Sequence, residues 1–166
     1  MQDDETRKLA ELIQDIQFAM LSTVGQDGAI HSRPMATTGV DPDAFDGTLW
    51  FFTDAESGKV LEVRQDARVN LSYADPKTNT YVSVSGHATV NRDRAKAREL
   101  WTLPMKAWFP DGADDPKLAL LQVDVTQAEY WDMPSSKFVQ LVGFTKAVLT
   151  GQQYQPGDHA RVDLRQ

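Results

Sequence analysis

Apolar residues Leu9, Leu12, Ile13 and Ile16 recur at three- and four-residue spacing behind an acidic first turn, which predicts an amphipathic helix packed across a sheet. The period then changes to that of strands. Phe18 to Val24 reads as one strand, and Gly25-Gln26-Asp27-Gly28 supplies a hairpin turn into a second, antiparallel strand from Ala29 to Val40. Residues 41 to 48 form a loop, and Thr48 to Thr53 is a short aromatic strand. A helix follows with Val60, Leu61, Val63 and Ala67 expected inward. Val69, Leu71 and Tyr73 alternate with Asn70, Ser72 and Ala74 as another strand, which ends at Asp75-Pro76-Lys77-Thr78-Asn79. From Tyr81 to Val90 the apolar Val82, Val84, Ala88 and Val90 share one face, and Ser83, Ser85, His87 and Thr89 take a wet one. Residues 92 to 107 are helical in character, and Phe109 to Pro116 reads as an exposed loop. Two more strands fit Leu118 to Val125 and Ala128 to Met133, and Phe138, Leu141, Val142, Val148 and Leu149 mark a second amphipathic helix. The rest, Gln152 to Gln166, reads as a loose polar tail.

About six strands with short turns, and helices only at the ends and in two connections, predict a mainly β (α+β) fold, a small closed or split antiparallel barrel. The 166 residues, 41% of them hydrophobic, suffice for one core. A single domain over residues 1–150 and a polar tail over 151–166 follow.

Charge and composition narrow the chemistry. A net charge of −7 with scattered Lys and Arg argues against a nucleic-acid partner. With no cysteine there is no disulfide or thiolate nucleophile, so redox chemistry would need a bound cofactor. The acidic start Met1-Gln2-Asp3-Asp4-Glu5 has no apolar signal region and no segment reaches membrane-spanning length, so a cytoplasmic, membrane-free protein is expected. His31, His87 and His159 are too far apart in sequence to suggest a metal centre, and the acidic Asp111, Asp114 and Asp115 lack calcium-loop spacing. No nucleophile elbow, P-loop or dinucleotide-binding glycine motif occurs.

Two segments carry candidate chemistry. On an extended strand His31, Arg33 and Met35 face one way and Ser32, Pro34 and Ala36 the other. Pro34 cannot donate to a sheet ladder, so this strand reads as an edge where backbone can face a ligand. In Thr53-Asp54-Ala55-Glu56-Ser57-Gly58-Lys59, a helix start, a hydroxyl and an ammonium together make an anion site. Taken alone, Arg33 reads first as a surface arginine on an edge strand, Thr53 with Glu56 also satisfies a capping box, and Asp54 and Glu56 would repel a phosphate if they pointed inward. Spacing leaves both open. Trp108, beside Phe109-Pro110, would need another subunit or a flat ligand to cover its indole.

The segments Phe18 to Val40, Leu49 to Val60 and Tyr81 to Ala88, in this order, resemble the flavin mononucleotide (FMN)-binding split barrel of the pyridoxamine 5′-phosphate oxidase-like superfamily. The later runs Met105-Lys106-Ala107-Trp108-Phe109-Pro110, Leu120-Leu121-Gln122-Val123 and Ala128-Glu129-Tyr130-Trp131-Asp132 are similar to its bacterial general stress protein branch. The resemblance implies a homodimer with FMN at the subunit interface. It implies that Arg33, Pro34, Met35 and Ala36 lie along the flavin, that Phe52 and Thr53 stand near its ring and ribityl chain, and that Ser57 and Lys59 bind its phosphate. It makes Trp108 the candidate for a residue contributed across the interface.

The departures bear on activity. Where the family's oxidases often carry an arginine in the phosphate turn, this chain has Gly58, and Tyr81 stands where a glutamine is usual. The substrate-phosphate stretch of the true oxidases is replaced by Leu103-Pro104-Met105-Lys106-Ala107, without its charge and hydroxyl, and His159 and Arg161 do not match the family's carboxy-terminal substrate segment. Oxidation of pyridoxamine 5′-phosphate is therefore not expected. The resemblance implies an FMN-dependent oxidoreductase of another, unidentified substrate or, alternatively, a non-catalytic flavin-binding or flavin-sensing stress protein.

Overall fold

The computed structural model describes residues 3–134, 137–153 and 157–164, and in the helix that begins at Lys137 the side chains from Gln140 onward. Helix α1 (Asp4–Ile16) starts where Asp3 accepts the backbone N–H of Thr6 at 2.7 Å, a side-chain N-cap. Strands β1 (Phe18–Val24) and β2 (Ile30–Ala36) pair antiparallel across the glycine turn, with Leu21 opposite Arg33 and Thr23 opposite His31. Strand β3 (Thr48–Asp54) leads into helix α2 (Gly58–Gln65), and β4 (Arg68–Asp75) and β5 (Thr80–Asn91) form a second hairpin. Helix α3 (Arg94–Leu100), β6 (Leu118–Asp132), helix α4 (Lys137–Thr150) and β7 (Asp158–Asp163) complete the described elements, with 3-10 turns at Leu103–Ala107 and Gly112–Asp114.

The sheet runs β2-β1-β4-β5-β6-β3 with every pair antiparallel, and β7 pairs with β6. Its two ends curl toward each other but are joined only by an isolated bridge between Thr38 and Trp50. This is a six-stranded half-barrel, split between β2 and β3. The alternate residues Ala19, Leu21, Leu49, Phe51, Leu71, Tyr73, Val82 and Val84 fill its concave side, and α1 adds Leu9, Ala10, Leu12 and Ile13 to the same core. A second cluster, Ala97, Leu100, Phe109, Leu118 and Leu120, lies beneath α3 with Trp50, Phe52 and Trp101 packed against it.

Several sequence expectations change. The second strand ends at Ala36 rather than Val40. In place of the two strands expected within residues 118–133, one 15-residue strand, Leu118–Asp132, pairs with β5 from Leu120 onward, with β3 along its first half and with β7 along its second. The polar step at Thr126-Gln127 is a bulge opposite Ser85 and Gly86, not a turn. The supposed tail contributes β7, whose Val162 is buried; Tyr154 to Pro156, Arg165 and Gln166 lie outside the described residues. Leu61 is exposed, Ala67 follows α2 rather than lying in it, and residues 92–107 divide into α3 and a 3-10 turn. Within the loop expected to be exposed, Phe109 and Asp115 are buried. Helix α4 turns Leu141, Val142, Phe144, Val148 and Leu149 to solvent instead of into a core, and the side chain of Phe138 lies outside the described residues.

Candidate anion site at the barrel split

The split places the exit of β3 and the start of α2 beside the inner face of β2. Along β3, Leu49, Phe51 and Thr53 point to the interior while Trp50 and Phe52 point to the α3 cluster, so Thr53 brings a buried hydroxyl to the strand's end. The turn after it is fixed by Asp54: its side chain accepts the Glu56 N–H at 2.8 Å and its carbonyl the Ser57 N–H at 3.1 Å. Ser57 is the N-cap of α2, with extended backbone, yet its hydroxyl makes no cap hydrogen bond. It turns instead to Lys59. The Lys59 ammonium donates to Ser57 Oγ and to Thr53 Oγ1, each at 3.2 Å. The capping-box alternative for Thr53 and Glu56 does not form.

Lys59 is half-buried, and its pKa is lowered, first by burial and then by the positive charge of Arg33. Among the described residues no carboxylate forms an ion pair with it. Arg33 comes from the opposite edge of the split. Its Nη1 donates to Thr23 Oγ1 at 2.5 Å and to the Leu21 carbonyl at 3.4 Å, and its Nη2 donates to Glu62 Oε2 at 2.9 Å. Glu62, one turn along α2 from Lys59, also accepts the Thr23 hydroxyl at 2.5 Å and stands 2.6 Å from His31 Nδ1. These hydrogen bonds, the Thr23 hydroxyl first, hold its carboxyl down at about 2. Of the two cations, Arg33 thus meets the Glu62 carboxylate and Lys59 does not. The arrangement can receive an anion on the Lys59 side, where the ammonium has only hydroxyls.

Of the nine residues singled out in the sequence, Arg33, Thr53, Ser57 and Lys59 meet here. The others are placed elsewhere along the split. Met35 is buried in the core, Pro34 is exposed, and Ala36 lines a cleft of about 250 Å³ with Thr38, Thr102 and Met105. Phe52 packs edge-on against Trp101, ring centroids 5.8 Å apart. Trp108 is 79% exposed and shares a cleft of about 360 Å³ with Asp54 and Lys117. The site also holds Thr23 and Glu62, which sequence reasoning did not include, and His31, which it placed on the Arg33 face of the strand without giving it a role. The hairpin register sets Thr23 opposite His31, so these two were within reach of the strand pattern. Glu62 meets them only through tertiary packing. No group of three or more potential metal ligands occurs among the described residues.

The six-stranded antiparallel half-barrel, split between β2 and β3 with flanking helices, defines the fold class of the chain. The chain belongs to the family described as pyridoxamine 5′-phosphate oxidase like, which matches residues 4–155. It is 28% identical over 159 residues to the protein bli-3 of Neurospora crassa, covering 90% of this chain and 75% of the relative. It is 30% identical over 127 residues to general stress protein 26 of Bacillus subtilis, covering 74% of this chain and 85% of that protein. Its fold is similar to the crystal structure of the general stress FMN/FAD binding protein of Xanthomonas citri, with a TM-score of 0.68 and 30% identity over 79% of this chain and 90% of that one. No helix among the described residues is long and apolar enough to cross a membrane.

Proposed function

We propose that the protein binds FMN across the split, with the terminal phosphate on Lys59, Ser57 and Arg33, and serves as a flavin-dependent oxidoreductase of a substrate other than pyridoxamine 5′-phosphate. One observation carries this reading: the half-buried Lys59 ammonium has hydroxyl partners only, with a second cation, Arg33, close enough to depress its pKa. A cation so placed is stabilised by an anion, and the helix N-terminus at Ser57 adds backbone N–H groups to the same spot. The Xanthomonas citri relative, named for FMN/FAD binding, supports flavin as the bearer of that anion.

When bound, the flavin would supply the hydride or electron chemistry. The residues of this chain would hold and orient it. Arg33 would set the β2 edge against the cofactor, with the backbone of Pro34, Met35 and Ala36 running along it. Thr53 would share its hydroxyl between Lys59 and the ribityl chain, and Phe52 would stiffen β3 through Trp101. In this reading the working unit is a homodimer, and Trp108 closes the partner's flavin site. Its large exposed indole supports that assignment.

The visible absorption spectrum of the purified protein, followed by titration with FMN and riboflavin, tests cofactor binding. Bound flavin with FMN preferred over riboflavin is the expected result. Stopped-flow reduction of the loaded protein by NADH or NADPH then tests the oxidoreductase, and a flavin that neither donor reduces favours flavin carriage or sensing.

A further inference from the structure

The Arg33 guanidinium is already occupied by an anion that belongs to the protein. Three donors converge on one carboxylate: the Thr23 hydroxyl and Arg33 Nη2 on Oε2 of Glu62, and the His31 ring on Oε1. Nη1 is spent on this side, on Thr23 and the Leu21 carbonyl, and Nη2 gives one N–H to Glu62, which leaves its second N–H and that of Nε to form a fork. A phosphate gripped by that remaining fork would share the guanidinium with the Glu62 carboxylate, which already neutralises its charge. Glu62 is partly buried, its side chain 16% exposed, so its charge is screened by salt less than that of a fully exposed carboxylate.

Charge sets the sign of the effect. Arg33 and Lys59 bring two positive charges, Glu62 offsets the first and Asp54 acts on the second, while a phosphate monoester carries about two negative charges at neutral pH. Resting on the phosphate reading above, we propose that Glu62 is a built-in competitor of the bound phosphate for Arg33, weakening the protein's hold on phosphorylated flavins and leaving unphosphorylated flavin untouched. The carboxylate would thereby act as a specificity-setting group. It lowers the preference for FMN over riboflavin and keeps the phosphorylated cofactor exchangeable.

The test is Glu62→Gln, which keeps the shape and the hydrogen-bonding oxygen and removes the charge. Affinities for FMN and for riboflavin are measured by fluorescence quenching at low and high salt, with circular dichroism to verify the fold. FMN should bind about tenfold more tightly to the variant, with a larger gain at low salt, and riboflavin should be unchanged. Glu62→Ala repeats the measurement if the glutamine does not fold. Weaker or unchanged FMN binding, against a wild type that prefers FMN, overturns the competitor role alone and makes Glu62 an orienting group for Arg33 or a structural one. Equal binding of FMN and riboflavin by both the wild type and Glu62→Gln overturns the phosphate reading and this inference with it.

Discussion

Lys59 Nζ lies 3.2 Å from the hydroxyl of Ser57, the residue two positions earlier that caps α2 without using that hydroxyl as a cap. Both groups are therefore turned toward one point at the helix entrance. If that point is a phosphate site, charge-assisted contacts of roughly 1.5–3 kcal/mol each are at stake. Lys59→Met keeps the stem and removes the charge, so FMN affinity should fall by about tenfold to about a hundredfold. Riboflavin affinity should hardly change. Parallel fluorescence titrations of the two flavins check this, and an unaltered FMN affinity would place the phosphate elsewhere.

Glu62 gives a pH dependence whose sign is fixed. Its carboxyl titrates at about 2 in the folded chain against an ordinary 4.5, so the stabilisation it brings is complete above 4.5 and is lost as pH falls toward 2. Acid should therefore destabilise the wild type between pH 4.5 and 2 by more than it destabilises Glu62→Gln. Urea unfolding across that window measures both, and parallel curves for the two proteins would mean that Glu62 contributes no native ion pairing.

Much of this arrangement is legible in the sequence. The hairpin of β1 and β2, the aromatic β3 and the Ser57/Lys59 turn follow from local periodicity and turn residues, because each depends on near neighbours in the chain. What escapes is tertiary. The Thr126-Gln127 step in β6 looks like a turn because both residues are polar, and only its pairing with β5 makes it a bulge. Strand β7 has little strand signature in Asp158-His159-Ala160-Arg161-Val162-Asp163. Its cross-strand contacts hold it: His159 stacks on Trp131 at 5.2 Å between ring centroids and stands 2.7 Å from Glu129. Glu62 reads as one more solvated helix carboxylate until α2 is laid against the β1–β2 hairpin.

The bulge makes its own demand. At Gly86 an added Cβ would stand 2.5 Å from the Asp124 carbonyl oxygen and 3.1 Å from Val123 Cγ1, and the first of these is backbone that cannot swing aside. Gly86→Ala should destabilise the fold by about 2–4 kcal/mol, the size of a core strain, and lower the melting temperature by on the order of ten degrees. Calorimetry checks it. A melting temperature within two degrees or so of wild type would mean that the β5–β6 crossing relaxes more easily than a packed sheet centre does.

Substrate choice follows from the stretch 103–107. Leu103 is exposed at the start of a 3-10 turn and Ala107 ends it, so neither offers a charge or hydroxyl to a substrate phosphate. Flavin-loaded protein incubated with pyridoxamine 5′-phosphate in air should form negligible pyridoxal 5′-phosphate, and turnover at an ordinary enzymatic rate would refute the assignment.

Assembly is the most exposed expectation. On the outer side of the sheet the cross-strand row Ser32, Ser22, Asn70 and Ser85 lies beside the row Pro34, Met20, Ser72 and Ser83. None of these eight positions carries a charge in a chain that is 25% charged, and exposed Phe18 flanks them. A solvated sheet face is ordinarily studded with Lys and Glu, so an uncharged one suits burial against another surface. Helix α4 supplies a second such surface, with Leu149 80% exposed and Phe144 and Val148 beside it in the open. Its 14 residues span about 21 Å, close to the roughly 19 Å width of four strands. The wild type is accordingly expected to be a dimer at micromolar concentration by light scattering. Ser72→Arg on the sheet and Leu149→Glu on α4 should each push it toward monomer while leaving the circular dichroism spectrum intact, since neither side chain supports the core of its own chain. A wild-type monomer that still binds flavin would remove the dimer from the proposal and leave Trp108 without a partner site to close.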